Sequence, residues 1–291
     1  MQLTQLICWS VRAFAELEID VISVERIQEY SKLKSESLWE ETKSLTNWPT
    51  NGEITFEQLS VRYRDGLDPV LKDISFNVQP GEKIGIVGRA GKTSLCLSLF
   101  RIIEPISGRI LIDNVDISQL GLHDLRSKIT IIPQDMVIFD ETIRFNLDPN
   151  GIYSDEEIWN VLELSHLKRR IIQLENGLLY HLIGGGEILS AGEKQLLCFA
   201  RALLRQSKIY VLDEATASID LGTDYLIQDT IRKMLNNTTV LTIAHRLNTV
   251  LDSTKILVLS NGTIQQYDSP SKLALNSIQI SELLKDVNIL A

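Results

Sequence analysis

In the first part of the chain, hydrophobic and polar residues recur with the periodicity of an α-helix. Between residues 14 and 27 apolar side chains recur every three or four positions, with charged residues between them, and this predicts an amphipathic helix. Such a helix either packs on its own domain or neighbours helices outside this sequence. Residues 31–47 are polar and show no helical periodicity. Residues 48–52 form a cluster of the residue types that interrupt regular secondary structure. We therefore expect an N-terminal helix and linker over residues 1–47 and a main domain over residues 48–291.

The main domain begins with segments whose hydrophobic pattern predicts β-strands. Residues 53–63 and 70–78 alternate, as half-buried antiparallel strands do, whereas residues 83–88 are apolar throughout, as in a buried central strand. Further strands are predicted as a pair at Gly108–Ile112 and Ile129–Ile132, then at 209–212 and 239–243, with a closing hairpin around Asn261 and Gly262. Strands that alternate with helices indicate an α/β fold with a largely parallel core, to which an antiparallel β subdomain is added.

A helical subdomain is predicted over residues about 141–205. Two capping boxes open helices there, because Ser154 with Glu157, and Ser190 with Glu193, have the spacing at which each residue satisfies the other's backbone N–H. Behind Ser190 the apolar residues form a clean stripe, which predicts a long helix with one buried face.

Composition excludes several classes of protein. The net charge of −9 argues against a nucleic-acid partner, which requires clustered Lys and Arg. The cysteines Cys8, Cys96 and Cys198 have neither zinc-site nor disulfide spacing, so we expect small buried side chains in a reducing compartment. The uncharged residues 1–11 are too few to span a bilayer and lack signal-peptide features, so no transmembrane span is expected in this chain.

The turn from the apolar strand at 83–88 into the next helix resembles a phosphate-binding loop that is two residues short. The usual pattern has four residues between the first glycine and Gly-Lys-Ser/Thr, with backbone N–H groups around the phosphates, the lysine neutralising charge and the hydroxyl on Mg²⁺. Here only two residues separate the glycines. The candidate nucleotide-binding residues are Gly88, Arg89, Ala90, Gly91, Lys92, Thr93 and Ser94.

Two acidic residues follow the apolar strand at 209–212. At a strand end, Asp213 would hold Mg²⁺ through water, and Glu214 would orient or deprotonate an attacking water. By itself, an Asp-Glu pair after a strand is usually only the start of a loop. In a sequence that also contains a phosphate-loop pattern, the catalytic interpretation is favoured.

Larger motifs carry a family resemblance. LSAGEKQ (189–195) directly before IYVLDEATASID (209–220) resembles the signature motif and Walker B segment of ATP-binding cassette (ABC) nucleotide-binding domains. GLHDLRSKITIIPQD, RFNLDP and YSDEEIW are similar to the second nucleotide-binding domain of the C subfamily, the multidrug-resistance-associated transporters. Residues 16–32 are similar to the segment after the last transmembrane helix of those proteins.

The resemblance implies a P-loop NTPase core that binds ATP and Mg²⁺. It implies that Tyr63 stacks on adenine, that Gln134 contacts Mg²⁺ together with Thr93 and Asp213, and that Asp220 lies in the D-loop. Glu214, Gln134 and His245 would form the catalytic set. Two nucleotide-binding domains would close head to tail, with Ser190 and Gly192 of the signature helix completing a site on the partner.

The family also implies a place in the cell and a task. The chain would lie on the cytosolic side of a membrane, bound to the transmembrane domains of an exporter of organic anions or xenobiotics. Two alternatives remain open: a non-hydrolysing relic or regulatory partner that only supplies the signature motif to another domain, and a soluble ABC ATPase unrelated to transport. The basic residues Arg144, Lys168, Arg169 and Arg170 are expected on a solvated face or against another domain, and His123, His166 and His181 are expected to be structural.

Overall fold

The computed structural model describes residues 2–33, 35–40, 47–88, 90–213, 221–244, 250 and 252–275. It forms two compact units, residues 1–38 and 39–291. The first contains a single long helix, α1 (Gln2–Ser31), which confirms the predicted helix and extends it towards the N-terminus. The predicted apolar stripe, including Phe14 and Ile27, is exposed along α1. Among the described helices none has both the length and the apolar composition that crossing a membrane requires.

The second unit begins with an antiparallel sheet of four strands in the order β2-β1-β4-β5. Its strands are β1 (Ile54–Val61), β2 (Leu71–Val78), β4 (Pro105–Ile112) and β5 (Val115–Asp116). Burial along β1 alternates in two segments, Ile54 with Phe56 and Leu59 with Val61, and the three-residue step between Phe56 and Leu59 falls at a register shift that interrupts the predicted alternation.

A second sheet of six strands has the order β10-β9-β3-β8-β7-β6. Five strands are parallel and β10 is an antiparallel edge. The strands are β3 (Lys83–Gly88), β6 (Ile129–Ile132), β7 (Ile209–Asp213), β8 (Thr239–Ile243), β9 (Lys255–Ser260) and β10 (Thr263–Asp268). The helices alongside it are α2 (Lys92–Leu99), α3 (Leu122–Lys128), α8 (Leu221–Met234) and α9 (Pro270–Leu275).

One predicted pairing is wrong. The strands at Gly108–Ile112 and Ile129–Ile132 both exist, but they belong to different sheets: β4 pairs with β1, and β6 pairs with β7. Both segments are short apolar runs, and a short run does not encode which distant strand supplies its hydrogen bonds. The partner strand is determined only when the tertiary core assembles.

The helical subdomain lies between β6 and β7 in sequence. Its helices are α4 (Ile143–Leu147), α5 (Asp155–Leu164), α6 (Lys168–Ile172) and α7 (Ala191–Leu204). Both predicted capping boxes are present, at Ser154 with Glu157 and at Ser190 with Glu193. The buried stripe of α7 has two partners: Leu196 and Leu197 pack within the helical subdomain, and Phe199 packs against β6 and β7. Helix α7 therefore joins the subdomain to the sheet.

A separate core joins the two sheets. Leu95 and Leu99 of α2 are buried there with side chains from both sheets. Because these side chains are buried from the first turns of α2, packing sets the position of the helix and of the turn that precedes it.

Candidate functional site

Neighbouring parallel strands end at one edge of the six-stranded sheet. β3 ends at Gly88, β7 ends at Asp213, and β6 ends two residues before Gln134. In the sheet order only β8 separates β3 from β7, and β6 lies next to β7. The structure therefore brings the phosphate-loop residues, Gln134 and Asp213 to the same edge, where α/β proteins generally bind their ligands.

The turn from β3 into α2 is very tight. Gly88 has φ +136°, and a Cβ atom there would lie 1.9 Å from the carbonyl oxygen of Leu259, so only glycine fits. Gly91 is the N-cap of α2 and is left-handed, with φ +95°. Since β3 ends at Gly88 and α2 begins at Lys92, just three residues connect strand and helix.

Lys92 points back into this turn. Its Nζ donates to the carbonyl oxygen of Gly88 at 2.7 Å, and the residue is only 6% exposed. The ammonium group thus binds the backbone of the loop that would hold a phosphate.

Tyr63 lies beside the first turn of α2. Its hydroxyl is 2.8 Å from Oγ of Ser94, which is buried, while the tyrosine residue is 50% exposed. Local sequence does not predict this hydrogen bond, because the residues come from different elements. The contact puts an accessible aromatic ring next to the phosphate-loop helix.

The oxygen ligands suited to Mg²⁺ lie near the same turn. Burial, and secondarily the charge of Asp213, raises the pKa of the Cys96 thiol in α2, and Asp213 ends β7 at this edge of the sheet. Thr93 is exposed on the first turn of α2, and Gln134 is exposed after β6. Hydroxyl, carboxylate and amide oxygens are hard donors that fit Mg²⁺. The described residues contain no group of three or more His, Cys, Asp or Glu arranged to hold a metal.

The signature residues lie on the helical subdomain. Ser190 is the exposed N-cap of α7: its Oγ accepts the N–H of Glu193 at 3.2 Å, and its own N–H donates to Oε2 of Glu193 at 2.8 Å. Gly192 is buried in the first turn. The helix end is therefore well ordered by its own side chains.

Sequence reasoning missed the residues that hold α7 to the segment after Gln134. Arg201 of α7 donates to the carbonyl oxygen and Oδ1 of Asn146 and to the carbonyl oxygen of Val137. The Asn146 amide in turn donates to the carbonyl of Phe139 at 2.9 Å, and its Oδ1 accepts the Phe139 N–H. A single Arg and a single Asn carry no local pattern, so no sequence signal marks this cluster.

The three cysteines divide between surface and core. Cys96 and Cys198 are buried, as expected, whereas Cys8 is exposed on α1, so the expectation of a buried side chain is wrong there. Four predicted site residues lie outside the described residues: Arg89, Glu214, Asp220 and His245.

Fold and site together define a P-loop type nucleotide-binding domain, with a parallel sheet, a phosphate-loop helix, an antiparallel subdomain and a helical subdomain. The family model described as "ABC transporter" matches residues 71–217, and the chain belongs to this family. The predicted fold class and the family resemblance are thereby confirmed.

Relatives refine this assignment. The chain is 53% identical over 277 residues to "ATP-binding cassette sub-family C member 3" of Homo sapiens, covering 94% of the chain and 18% of that protein. It is 50% identical over 292 residues to "ATP-binding cassette sub-family C member 2" of Rattus norvegicus, covering 99% of the chain and 19% of that protein. The chain thus spans under a fifth of these relatives.

A solved structure shares the fold. "Structure of a bacterial Atm1-family ABC exporter with ATP bound" matches with a TM-score of 0.82 and 29% identity, over 94% of this chain and 48% of that one.

Proposed function

We propose that this chain acts as the second nucleotide-binding domain of a C-subfamily exporter, paired head to tail with another nucleotide-binding domain. ATP would lie between the phosphate loop of one domain and the signature helix of the other. The observation that carries the proposal is the N-terminus of α7, where an exposed Ser190 caps a 14-residue helix. Such an end presents backbone N–H groups and partial positive charge, which favour a phosphate.

The chain's own nucleotide site would use the residues at the sheet edge. Tyr63 would stack on the base, Lys92 would meet the phosphates, and Thr93, Gln134 and Asp213 would hold Mg²⁺. When bound, Mg²⁺ neutralises phosphate charge. For the catalytic step we propose Glu214 and His245 together with Gln134, and Asp220 as the D-loop residue.

We further propose that this own site binds ATP weakly. A connection of three residues offers few backbone N–H groups to surround a phosphate. Two missing residues remove about 7 Å of chain reach. The signature helix is independent of this turn, so the chain would still complete a site on its partner.

A nucleotide titration tests the short loop. Inserting two residues after Arg89 should tighten ATP binding by about tenfold or more, because hydrogen bonds to charged groups contribute roughly 1.5–3 kcal/mol each. The control inserts the same two residues after Gly66, in the exposed turn between β1 and β2. Equal affinities for the three proteins would contradict the proposal.

A measurement of ATP turnover distinguishes the alternative functions. With a complementary nucleotide-binding domain present, an active chain should hydrolyse ATP and lose that activity on Glu214→Gln. A chain that only supplies its signature helix should support turnover that Glu214→Gln leaves unchanged.

A groove between sheet and helical subdomain supports binding of the transmembrane domains. It has a volume of about 710 Å³ and carries the exposed apolar side chains of Phe139, Phe145 and Ile152. Exposed apolar patches of this kind mark interaction surfaces. Phe139→Asp with Phe145→Asp should abolish co-sedimentation with membranes that contain transporter halves. If the unmodified chain also fails to co-sediment, the soluble ATPase is favoured.

A further inference from the structure

The N-terminus of α7 carries an ion pair that was not predicted from the sequence. Nε of Arg170, in α6, lies 3.2 Å from Oε1 of Glu193, and the same guanidinium donates to the carbonyl oxygen of Ile188 at 3.0 Å. The side chains of Arg170 and Glu193 are 34% and 26% exposed. The guanidinium of Arg170 therefore contacts the chain on both sides of Ser190.

Glu193 places a negative charge at a sensitive position. Its other oxygen, Oε2, accepts the N–H of Ser190 at 2.8 Å. This is the helix end to which the proposed function assigns the terminal phosphate of a partner's ATP. An unneutralised carboxylate there would repel that phosphate. The guanidinium removes this repulsion and leaves the capping box intact.

We propose that Arg170 is a positioning residue for the nucleotide site formed with the partner domain: by neutralising Glu193, it allows the capped signature turn to accept the terminal phosphate of ATP. The inference rests on the proposed role of the signature helix. It is independent of whether the chain's own phosphate loop binds ATP.

The Ile188 contact offers a different role, in which Arg170 only holds the backbone of the turn. The two roles predict different behaviour of double variants. Glu193→Gln removes the charge but keeps the capping box, since Gln at this position also bonds back to the N-cap. It should therefore rescue an electrostatic defect and leave a backbone defect unchanged.

The test measures the ATP concentration that half-saturates pairing of the full chain with a C-subfamily nucleotide-binding domain that has a phosphate loop of normal length. The variants are Arg170→Met, Glu193→Gln and the double variant. Arg169→Met is the matched control: it removes the same charge from an exposed side chain one residue away on α6. Thermal unfolding of each protein establishes that all variants are folded.

Arg170→Met should raise the half-saturating ATP concentration about fivefold, the upper range for a partly exposed charge, and Arg169→Met less than about twofold. The double variant should return to within about twofold of the unmodified chain, and high salt should shrink the Arg170→Met defect because salt screens charges. An Arg170→Met defect that persists in both the double variant and high salt would overturn the proposal, as would equal values for the two arginine variants. Absence of ATP-dependent pairing by the unmodified chain would instead overturn the proposed function, and this inference with it.

Discussion

Asp113 fastens the start of the main domain to the turn between β4 and β5. Its carboxylate accepts the backbone N–H groups of Thr50, Asn51, Gly52 and Glu53 at 2.7 to 3.2 Å. Burial acts to raise the pKa of Asp113, but these hydrogen bonds together outweigh it and hold the pKa below its ordinary value. We predict that Asp113→Asn destabilises the fold, because the amide has one acceptor oxygen and turns an NH₂ group towards N–H donors.

The magnitude follows from the two hydrogen bonds lost. In Asp113→Asn the remaining oxygen keeps the hydrogen bonds that Oδ1 accepts. The hydrogen bonds from the Thr50 and Asn51 N–H groups to Oδ2, at 2.7 and 2.9 Å, are lost. Hydrogen bonds to charged groups contribute roughly 1.5–3 kcal/mol each, and partial exposure to water reduces the sum, so we expect a loss of about 3 kcal/mol. Asn tolerates the left-handed backbone of this residue (φ +47°), so backbone strain adds little.

Urea unfolding measures this loss as a midpoint lowered by about 1 M at a slope near 3 kcal/mol/M. The matched control is Asp73→Asn, which makes the same charge change at an exposed residue with φ +50°. If Asp113→Asn costs no more than Asp73→Asn, the reasoning is refuted.

The pH dependence gives a second check on Asp113. A carboxyl group whose pKa is lowered by folding contributes stability that is fully present above the pKa of the unfolded chain, about 3.9. That stability is lost as the pH falls through the lower pKa of the folded state. The difference between the unmodified chain and Asp113→Asn should therefore shrink in acid. A difference that stays constant down to strongly acidic pH would contradict the ionised role.

Two further predictions concern α7 and the thiols. Arg201→Met should destabilise the helical subdomain by about 2–3 kcal/mol, because it removes the guanidinium hydrogen bonds to the carbonyl oxygen and Oδ1 of the buried Asn146 while keeping the apolar stem; hydrogen exchange that is unchanged in α7 would contradict this. A thiol reagent should modify Cys8 rapidly in the native chain and Cys96 and Cys198 only after unfolding, because burial excludes the reagent and raises the pKa of both thiols. Three equally fast thiols in the native protein would be inconsistent with the buried core.

Local patterns predicted much of the secondary structure. The capping boxes at Ser154 and Ser190 were predictable because both partners lie within one helical turn. The hairpin at Asn261 was predictable because its turn chemistry is local. The pairing of β4 was not, since its hydrogen bonds go to β1, which lies far away in the chain. The same limit applies to the Asn146–Arg201 cluster and to the hydrogen bond between Tyr63 and Ser94.

The sequence by itself determined the elements, the family and the absence of two residues from the phosphate loop, because these depend on residue type and spacing. Only the tertiary structure decided what the short loop does with Lys92, whose ammonium group binds the Gly88 carbonyl. It alone also decided that Arg170 neutralises Glu193 at the signature turn. The physical reason is that charges and hydrogen bonds act across distances of about 3 Å. Sequence separation does not specify which groups come that close.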